Sequence, residues 1–370
     1  MSPDIEVRPE TGLWKDSIDK KAVVKLATQL GRAYKKFDQD SFTAYILTKD
    51  FFQLELKERI NTIAAALKIF LPKSYSKAIK IIIKTAPLAG TFENWAMLTY
   101  VEKYGLENFD ESVNALETLT RHSTAEFAIR PYMIQYTKKM LPIVHQWTQN
   151  ENEHVRRLSA EGTRPRGVWM PHVEAFKKDP SEVLKILEKL KADNSLYVRK
   201  AVANNLNDIS KDHPDTVIKI GKQWLKANNK ETNWIVKHAC RTLLKQGHPE
   251  VFPLFGFTEN PKIEVMKFTI DKKKFSIGST ANISLEIQSI STQKQKLSID
   301  YKMYYMKKNG KQSPKVFKFS EKAIDANQNL SLSTKHSFQE MTTRKHYPGK
   351  HKIELMINGK IYNTIEFSLI

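Results

Sequence analysis

The sequence predicts a mainly α protein, an α-α superhelix of stacked helix pairs followed by an all-β sandwich, and three observations carry that prediction. Apolar residues recur at three- and four-residue spacing from about Asp16 to Phe257. From about Ile263 the runs alternate with period two, and within the helical part three segments can be laid over one another. A chain of 370 residues holds two or three domains, each able to bury its own core. The expected division is a helical solenoid over residues 1–260 and a sandwich over 261–370, with the boundary near Glu259-Asn260-Pro261.

In the helical part the stripes read Val23, Val24, Leu26, Ala27, Leu30 and Tyr34, then Ile60, Ile63, Ala64, Leu67 and Phe70, then Val183, Leu184, Leu187 and Leu190. Val155-Arg156-Arg157-Leu158-Ser159-Ala160-Glu161, Val198-Arg199-Lys200-Ala201-Val202-Ala203-Asn204 and Ile235-Val236-Lys237-His238-Ala239 superpose, their leading residues 43 and 37 apart. That period, with small residues on the packing face, is what two-helix HEAT-like repeats require, because a lone pair cannot bury its apolar stripe. The repeat is not legible in the first hundred residues. Trp147, Trp224 and Trp234 sit on helical spacing and are expected to pack, and Cys240 is expected to be buried and inert.

In the remainder, Phe275-Ser276-Ile277, Ile283-Ser284-Leu285-Glu286-Ile287, Leu297-Ser298-Ile299-Asp300-Tyr301 and Lys352-Ile353-Glu354-Leu355 alternate, with turn signals at Gly278-Ser279, Asn309-Gly310, Pro348-Gly349 and Asn358-Gly359. About seven strands in roughly 110 residues predict an antiparallel immunoglobulin-like sandwich without the Cys and Trp core of antibody domains.

Sixty Lys and Arg against 40 Asp and Glu leave a net +20, which favours polyanionic partners. Residues 261–370 are the denser cation, 20 basic against 9 acidic, and Lys272, Lys273, Lys274, Lys307, Lys308 and Lys315 lie in or near turns, where a phosphate backbone is reached most easily. One cysteine excludes an intramolecular disulfide and a cysteine-rich zinc site. Residues 1–8 lack the basic and apolar regions of a secretory signal, and no stretch approaches the ~18 apolar residues of a membrane span. The expectation is a soluble, cytoplasmic, monomeric protein without membrane attachment. Dinucleotide, P-loop, HExxH, GxSxG and zinc-deaminase signatures are missing, so neither cofactor nor metal is expected.

Chemistry is concentrated in Arg156-Arg157-Leu158-Ser159-Ala160-Glu161-Gly162-Thr163-Arg164-Pro165-Arg166-Gly167-Val168-Trp169. Glu161 lies six residues after Val155. In the next repeat that offset falls on Asn204, with Asp208 one turn beyond, so stacking places Glu161 and Asp208 side by side. Glu126 reaches the same face from the preceding repeat. Carboxylates converging on a basic surface are anomalous in a mere phosphate binder, because each repels the ligand.

These residues resemble the HEAT-like-repeat alkylpurine DNA glycosylases, specifically the AlkC branch, which carries a C-terminal immunoglobulin-like domain. The resemblance rests on Ala125-Glu126-Phe127-Ala128-Ile129-Arg130-Pro131, on the stretch from Val155 to Trp169, and on Asp193-Asn194-Ser195-Leu196-Tyr197-Val198-Arg199 continuing to Asn205 and Asp208. The Trp-x-x-x-Asp of the AlkD branch has no match near Asn94-Trp95. The resemblance implies excision of cationic alkylated bases, 3-methyladenine and 3-methylcytosine, from duplex DNA without a conventional base-flipping pocket. It assigns Glu161 and Asp208 to stabilising the sugar oxocarbenium ion and positioning water, with Glu126 as a third carboxylate and Trp169 offering its ring to the charged base. Arg156, Arg157, Arg164, Arg166 and Arg199 then hold backbone phosphates, and the sandwich grips the duplex through Lys272, Lys273 and Lys274. The alternative is a non-enzymatic scaffold binding DNA or acidic proteins, since solenoids are more often binding surfaces than enzymes.

Overall fold

The computed structural model describes residues 12–341 and 345–370. The stretch 1–8, expected to carry no secretory signal, lies outside the described residues. The chain divides into two compact units. One runs to His213 and resumes over Ala227–Ala239; the other comprises Pro214–Lys226 and Cys240–Ile370. Among the described residues no helix is long and apolar enough to cross a membrane.

The first unit is two layers of helices. Lys20–Ala33, Tyr75–Thr85 and Phe109–Leu119 follow one another in one layer, as do Thr137–Trp147 and Ser181–Leu190; Leu56–Phe70 packs on Thr91–Tyr104 in the other, where Glu153–Glu161, Leu196–Ile209 and Lys230–Ala239 lie side by side. The three segments that superpose in sequence are therefore neighbours in space. Their leading residues, Val155, Val198 and Ile235, are fully buried.

Local chemistry starts two of these helices identically. Asn152 accepts from the His154 amide at 2.9 Å and Ser195 from the Tyr197 amide at 3.2 Å, each N-cap standing three residues before the buried valine. The basic residue after that valine reaches back to the preceding turn. Arg156 Nη1 donates to the carbonyls of Asn150 and Glu151, both at 2.9 Å, and Arg199 Nη1 to those of Asp193 and Asn194, at 2.7 and 2.9 Å. Helix Thr91–Tyr104 shows why the early repeats escape periodicity: Phe92, Glu93, Asn94 and every residue from Ala96 to Val101 are buried, so no stripe remains.

In the second unit, strands β1 (Ile263–Ile270), β2 (Lys274–Phe275), β3 (Thr280–Ser289), β4 (Gln295–Met306), β5 (Gln312–Ile324), β6 (Asn329–Ser337), β7 (Gly349–Ile357) and β8 (Lys360–Leu369) form two sheets, β1-β3-β6 and β2-β8-β7-β4-β5. Alternate residues of both, including Ile283, Leu285, Ile299, Met303, Ile353, Leu355 and Phe367, meet in one core. The pairing is antiparallel except for β2 beside β8, and a two-residue turn joins β7 to β8. Asn358 and Gly359 both have positive φ, 45° and 83°, the conformation an Asn-Gly hairpin needs. The helical residues that precede β1 pack on this hairpin. A Cβ on Gly359 would stand 2.7 Å from the Phe252 ring and 2.8 Å from the Gly247 carbonyl, contacts that require a backbone shift. Gly359→Ala is expected to destabilise the protein by about 1–3 kcal/mol, measured by urea unfolding, because strain at positive φ adds to overpacking.

Candidate active site

The carboxylates singled out in the sequence meet in one row in the first unit. Glu161 closes helix Glu153–Glu161, and Asp208 sits in the last turn of the neighbouring helix Leu196–Ile209. Arg164, in the loop after Glu161, bridges them: Nη1 bonds Glu161 Oε1 and Nε bonds Asp208 Oδ2 at 2.7 Å. On one side Arg157 Nη2 approaches Glu161 Oε2 at 3.5 Å and pairs with Glu126 Oε2. On the other, Lys211 Nζ lies 3.0 Å from Asp208 Oδ1. The row alternates in sign, Glu126, Arg157, Glu161, Arg164, Asp208, Lys211. Glu161 and Asp208 are only 3% and 2% exposed, so Arg164 is their cover as well as their partner.

Burial of isolated ions costs several kcal/mol each, and the alternation offsets it. The arginines record the balance. Burial opposes the charge of Arg157, but Glu161 and Glu126 outweigh it and hold the guanidinium above its ordinary value; burial likewise opposes Arg164, and Glu161 with Asp208 outweigh it. Arg157 also donates to Thr124 Oγ1 at 2.6 Å and lies 4.9 Å from the centre of the Tyr197 ring. Asn205 Nδ2 donates to the Ala160 carbonyl at 2.8 Å and so ties the two carboxylate-bearing helices together.

The other predicted arginines have separate places. Arg156 forms a two-point pair with Asp193, Nε to Oδ2 at 2.7 Å and Nη2 to Oδ1 at 3.0 Å, joining consecutive repeats. Arg166 does the same with Asp212 at 3.0 and 2.6 Å, nearer the solvent. Arg199 bonds through Nη1 to the turn before its helix. Lys272, Lys273 and Lys274 are exposed at the β1–β2 turn of the second unit. Trp147 and Trp224 are buried as packing residues, Trp234 stacks on His238 with centroids 4.7 Å apart, and burial pushes the Cys240 thiol up to about 12.

Trp169 is 73% exposed, at the tip of the loop that Arg164 begins, with φ of 62°. A non-glycine residue in this left-handed region costs roughly 1–2 kcal/mol. Below it, Trp95 stacks on Phe127 with centroids 5.1 Å apart and planes at 14°. Trp169, Phe127, Trp95, Lys57 and Glu102 line a cleft of about 270 Å³. Burial raises the Glu102 carboxyl, against the pull of Lys103 and Lys57.

Sequence reasoning missed three participants. Arg130 is fully buried and clamps the loop, donating to the Pro171 carbonyl through Nε and Nη2 at 3.0 and 2.6 Å and to the Gly162 and Arg164 carbonyls through Nη1 at 3.1 and 2.7 Å. Burial, then the Arg164 charge, lowers it to about 10. Its signal was present in Phe127-Ala128-Ile129-Arg130-Pro131, where an arginine sits among apolar residues. Lys211 was legible as a cation three residues after Asp208. Lys57, two repeats earlier, left no local trace.

Comparison with known proteins accords with this geometry. Residues 106–243 match the model of the DNA alkylation repair enzyme family, and residues 264–370 that of the C-terminal Ig-like domain of the uncharacterised protein YhaZ. The chain is 40% identical to the uncharacterised protein YhaZ of Bacillus subtilis (strain 168), over 96% of this chain and 99% of that one. Among solved structures it is similar to the Pseudomonas fluorescens alkylpurine DNA glycosylase AlkC bound to DNA containing an abasic site analog. That match has a TM-score of 0.91 and 33% identity over 97% of this chain and 99% of the other. The chain belongs to the DNA alkylation repair enzyme family. Within it the chain stands with AlkC, both in its repeated helices and in its Ig-like sandwich, and its class is that of a hydrolase, a DNA glycosylase.

Proposed function

We propose that this glycosylase hydrolyses the N-glycosidic bond of cationic alkylated bases in duplex DNA, 3-methyladenine and 3-methylcytosine being the substrates of choice. The observation that carries the reading is the row of carboxylates, Glu126, Glu161 and Asp208, the last two of them buried, within a chain of net charge +20. Alkylation gives the base a positive charge, so it leaves with the bonding electron pair as a neutral molecule and needs no proton. Positive charge passes to the sugar as an oxocarbenium ion. A carboxylate about 4 Å from it, at an effective dielectric near 20, contributes up to about 4 kcal/mol, close to a thousandfold in rate. The fraction that exceeds ground-state attraction is what accelerates the step.

Glu161 and Asp208 face the sugar once Arg164 swings aside, and one of them orients the water that adds to the anomeric carbon and takes up its proton. Glu126 steadies Arg157. Trp169 presents its ring to the charged base from outside the row, so the lesion is met at the surface of the groove rather than in an enclosed base pocket; such a cation–π contact contributes about 1–2 kcal/mol. Arg156, Arg157, Arg164, Arg166 and Arg199 provide guanidinium groups for phosphates, with Arg166 and Arg199 best placed, since Arg166 is partnered near the solvent and Arg157 and Arg164 are engaged in the row.

Mass-spectrometric detection of free bases released from methylated duplex DNA tests the reading. Release by the wild type is expected; tight duplex binding without release overturns it. The sandwich is assigned a share of affinity through its exposed turn. Lys272→Ala, Lys273→Ala and Lys274→Ala together are expected to weaken duplex binding and to reduce the slope of log K against log salt by about 1–3, because each phosphate contact contributes about 0.9 to that slope. An unchanged slope across a salt series removes the turn from the interface.

The same row also reads as a purely structural ion-pair zipper between stacked helices, a reading favoured by the full pairing of all three carboxylates. The two readings part on substitution of Glu161.

A further inference from the structure

Lys57 lies in helix Leu56–Phe70, far along the chain from the carboxylate row, yet its ammonium reaches the loop that carries Trp169. Nζ donates to the Trp169 carbonyl at 2.9 Å, across 112 residues of sequence, and stands 5.6 Å from the centre of the Trp169 ring and 5.0 Å from that of Phe127. One cation thus touches both walls of the cleft. It is attracted to the negative face of each ring and to the carbonyl of the residue whose backbone is left-handed. Two residues beyond, Arg130 fastens the Pro171 carbonyl. The loop tip is held from two sides, by a buried arginine at its base and by Lys57 at its end.

An indole 73% exposed has little packing to set its direction. A left-handed tryptophan relaxes toward an ordinary conformation unless its surroundings hold it. Glu102, which has no hydrogen-bond or ion-pair partner among the described residues, lines the same cleft as Lys57; burial raises its carboxyl, and Lys103 and then Lys57 lower it in part.

We propose that Lys57 is a positioning residue for the reaction: it holds the Trp169 ring in the direction from which it meets the charged base, without itself touching the reacting atoms. The inference rests on the functional reading of Trp169 given above. A purely structural lysine would leave the chemistry untouched when removed, and a phosphate ligand would act through affinity.

The experiment measures single-turnover base release and affinity for an abasic duplex, with full-length protein, for Lys57→Ala, Lys57→Arg, Trp169→Ala and the Lys57→Ala, Trp169→Ala double variant. Lys57→Ala is expected to slow release about tenfold with duplex affinity within twofold of wild type, and Lys57→Arg to recover most of the rate. Because Lys57 acts through Trp169, the double variant is expected to be no slower than Trp169→Ala alone. Slowing in Trp169→Ala with a wild-type rate in Lys57→Ala overturns the positioning role alone. Wild-type rates in both overturn the reading of Trp169 itself. Lower affinity with a salt slope reduced by about one and an unchanged single-turnover rate would make Lys57 a phosphate ligand instead. Additive losses in the double variant would make it independent of Trp169.

Discussion

Glu161→Gln is expected to reduce base release from methylated duplex DNA about a thousandfold while leaving duplex affinity within a few-fold of wild type. The side chains are isosteric, so the loss is of charge. At about 4 Å from the developing sugar cation that charge accounts for up to about 4 kcal/mol of transition-state stabilisation. Binding is spared because the carboxylate does not attract phosphates, and its removal slightly favours them. A purely structural row makes the opposite prediction, a loss of stability in Glu161→Gln with little loss of rate. Release at the wild-type rate by the glutamine variant would move the oxocarbenium ion to Asp208 or Glu126, each within the same row.

The second large effect is on stability. Arg164→Leu is expected to lower the free energy of unfolding by about 2–4 kcal/mol in urea titrations, because it takes from two carboxylates, 3% and 2% exposed, the guanidinium that bridges them and leaves each with one partner, Arg157 for Glu161 and Lys211 for Asp208. The double variant Glu161→Gln, Arg164→Leu is expected to recover part of that loss, since one of the under-compensated charges has gone. A loss below about 1 kcal/mol for Arg164→Leu would mean that water replaces the guanidinium at little cost, and the row would then be open rather than covered. The same experiment bears on function. Arg164 lines up the two carboxylates before it swings aside, so a variant that folds is expected to bind duplex DNA and release bases poorly, its carboxylates no longer held in line.

Most of the architecture was legible in the sequence, for an identifiable reason. Val155 and Val198 are buried because each helix begins with a capping turn and then turns its valine inward, Ile235 is buried at the matching place, and a pattern copied along the chain survives in one dimension. Asn358-Gly359 announced its hairpin because few other pairs tolerate two successive positive φ values. The early helices were not legible as repeats, since Thr91–Tyr104 is buried on nearly all sides and a helix without a wet face has no stripe to read. Near the junction, local pattern separated helices from strands around residue 260, whereas packing groups Pro214–Lys226 and Cys240–Ile370 in one unit. Helical periodicity reports what a segment is, and says nothing of what it lies against.

The candidate site divides along the same line. Sequence alone supplied its ingredients: an acidic residue in one repeat helix, another one turn beyond the matching place in the next, arginines between them, and a tryptophan at the end of the same motif. It determined them because each belongs to a short contiguous stretch. Which partners the arginines have within the protein was decided by tertiary structure. Arg164 finds Asp208 across 44 residues and Arg156 finds Asp193 across 37, so groups that read alike in the sequence are paired differently, one as a bridge between two carboxylates and one as a tie between repeats. Lys57 reaches Trp169 across 112. Ion pairs form wherever packing brings opposite charges within reach in a medium of low dielectric, and that proximity is a property of the folded chain, absent from the order of its residues.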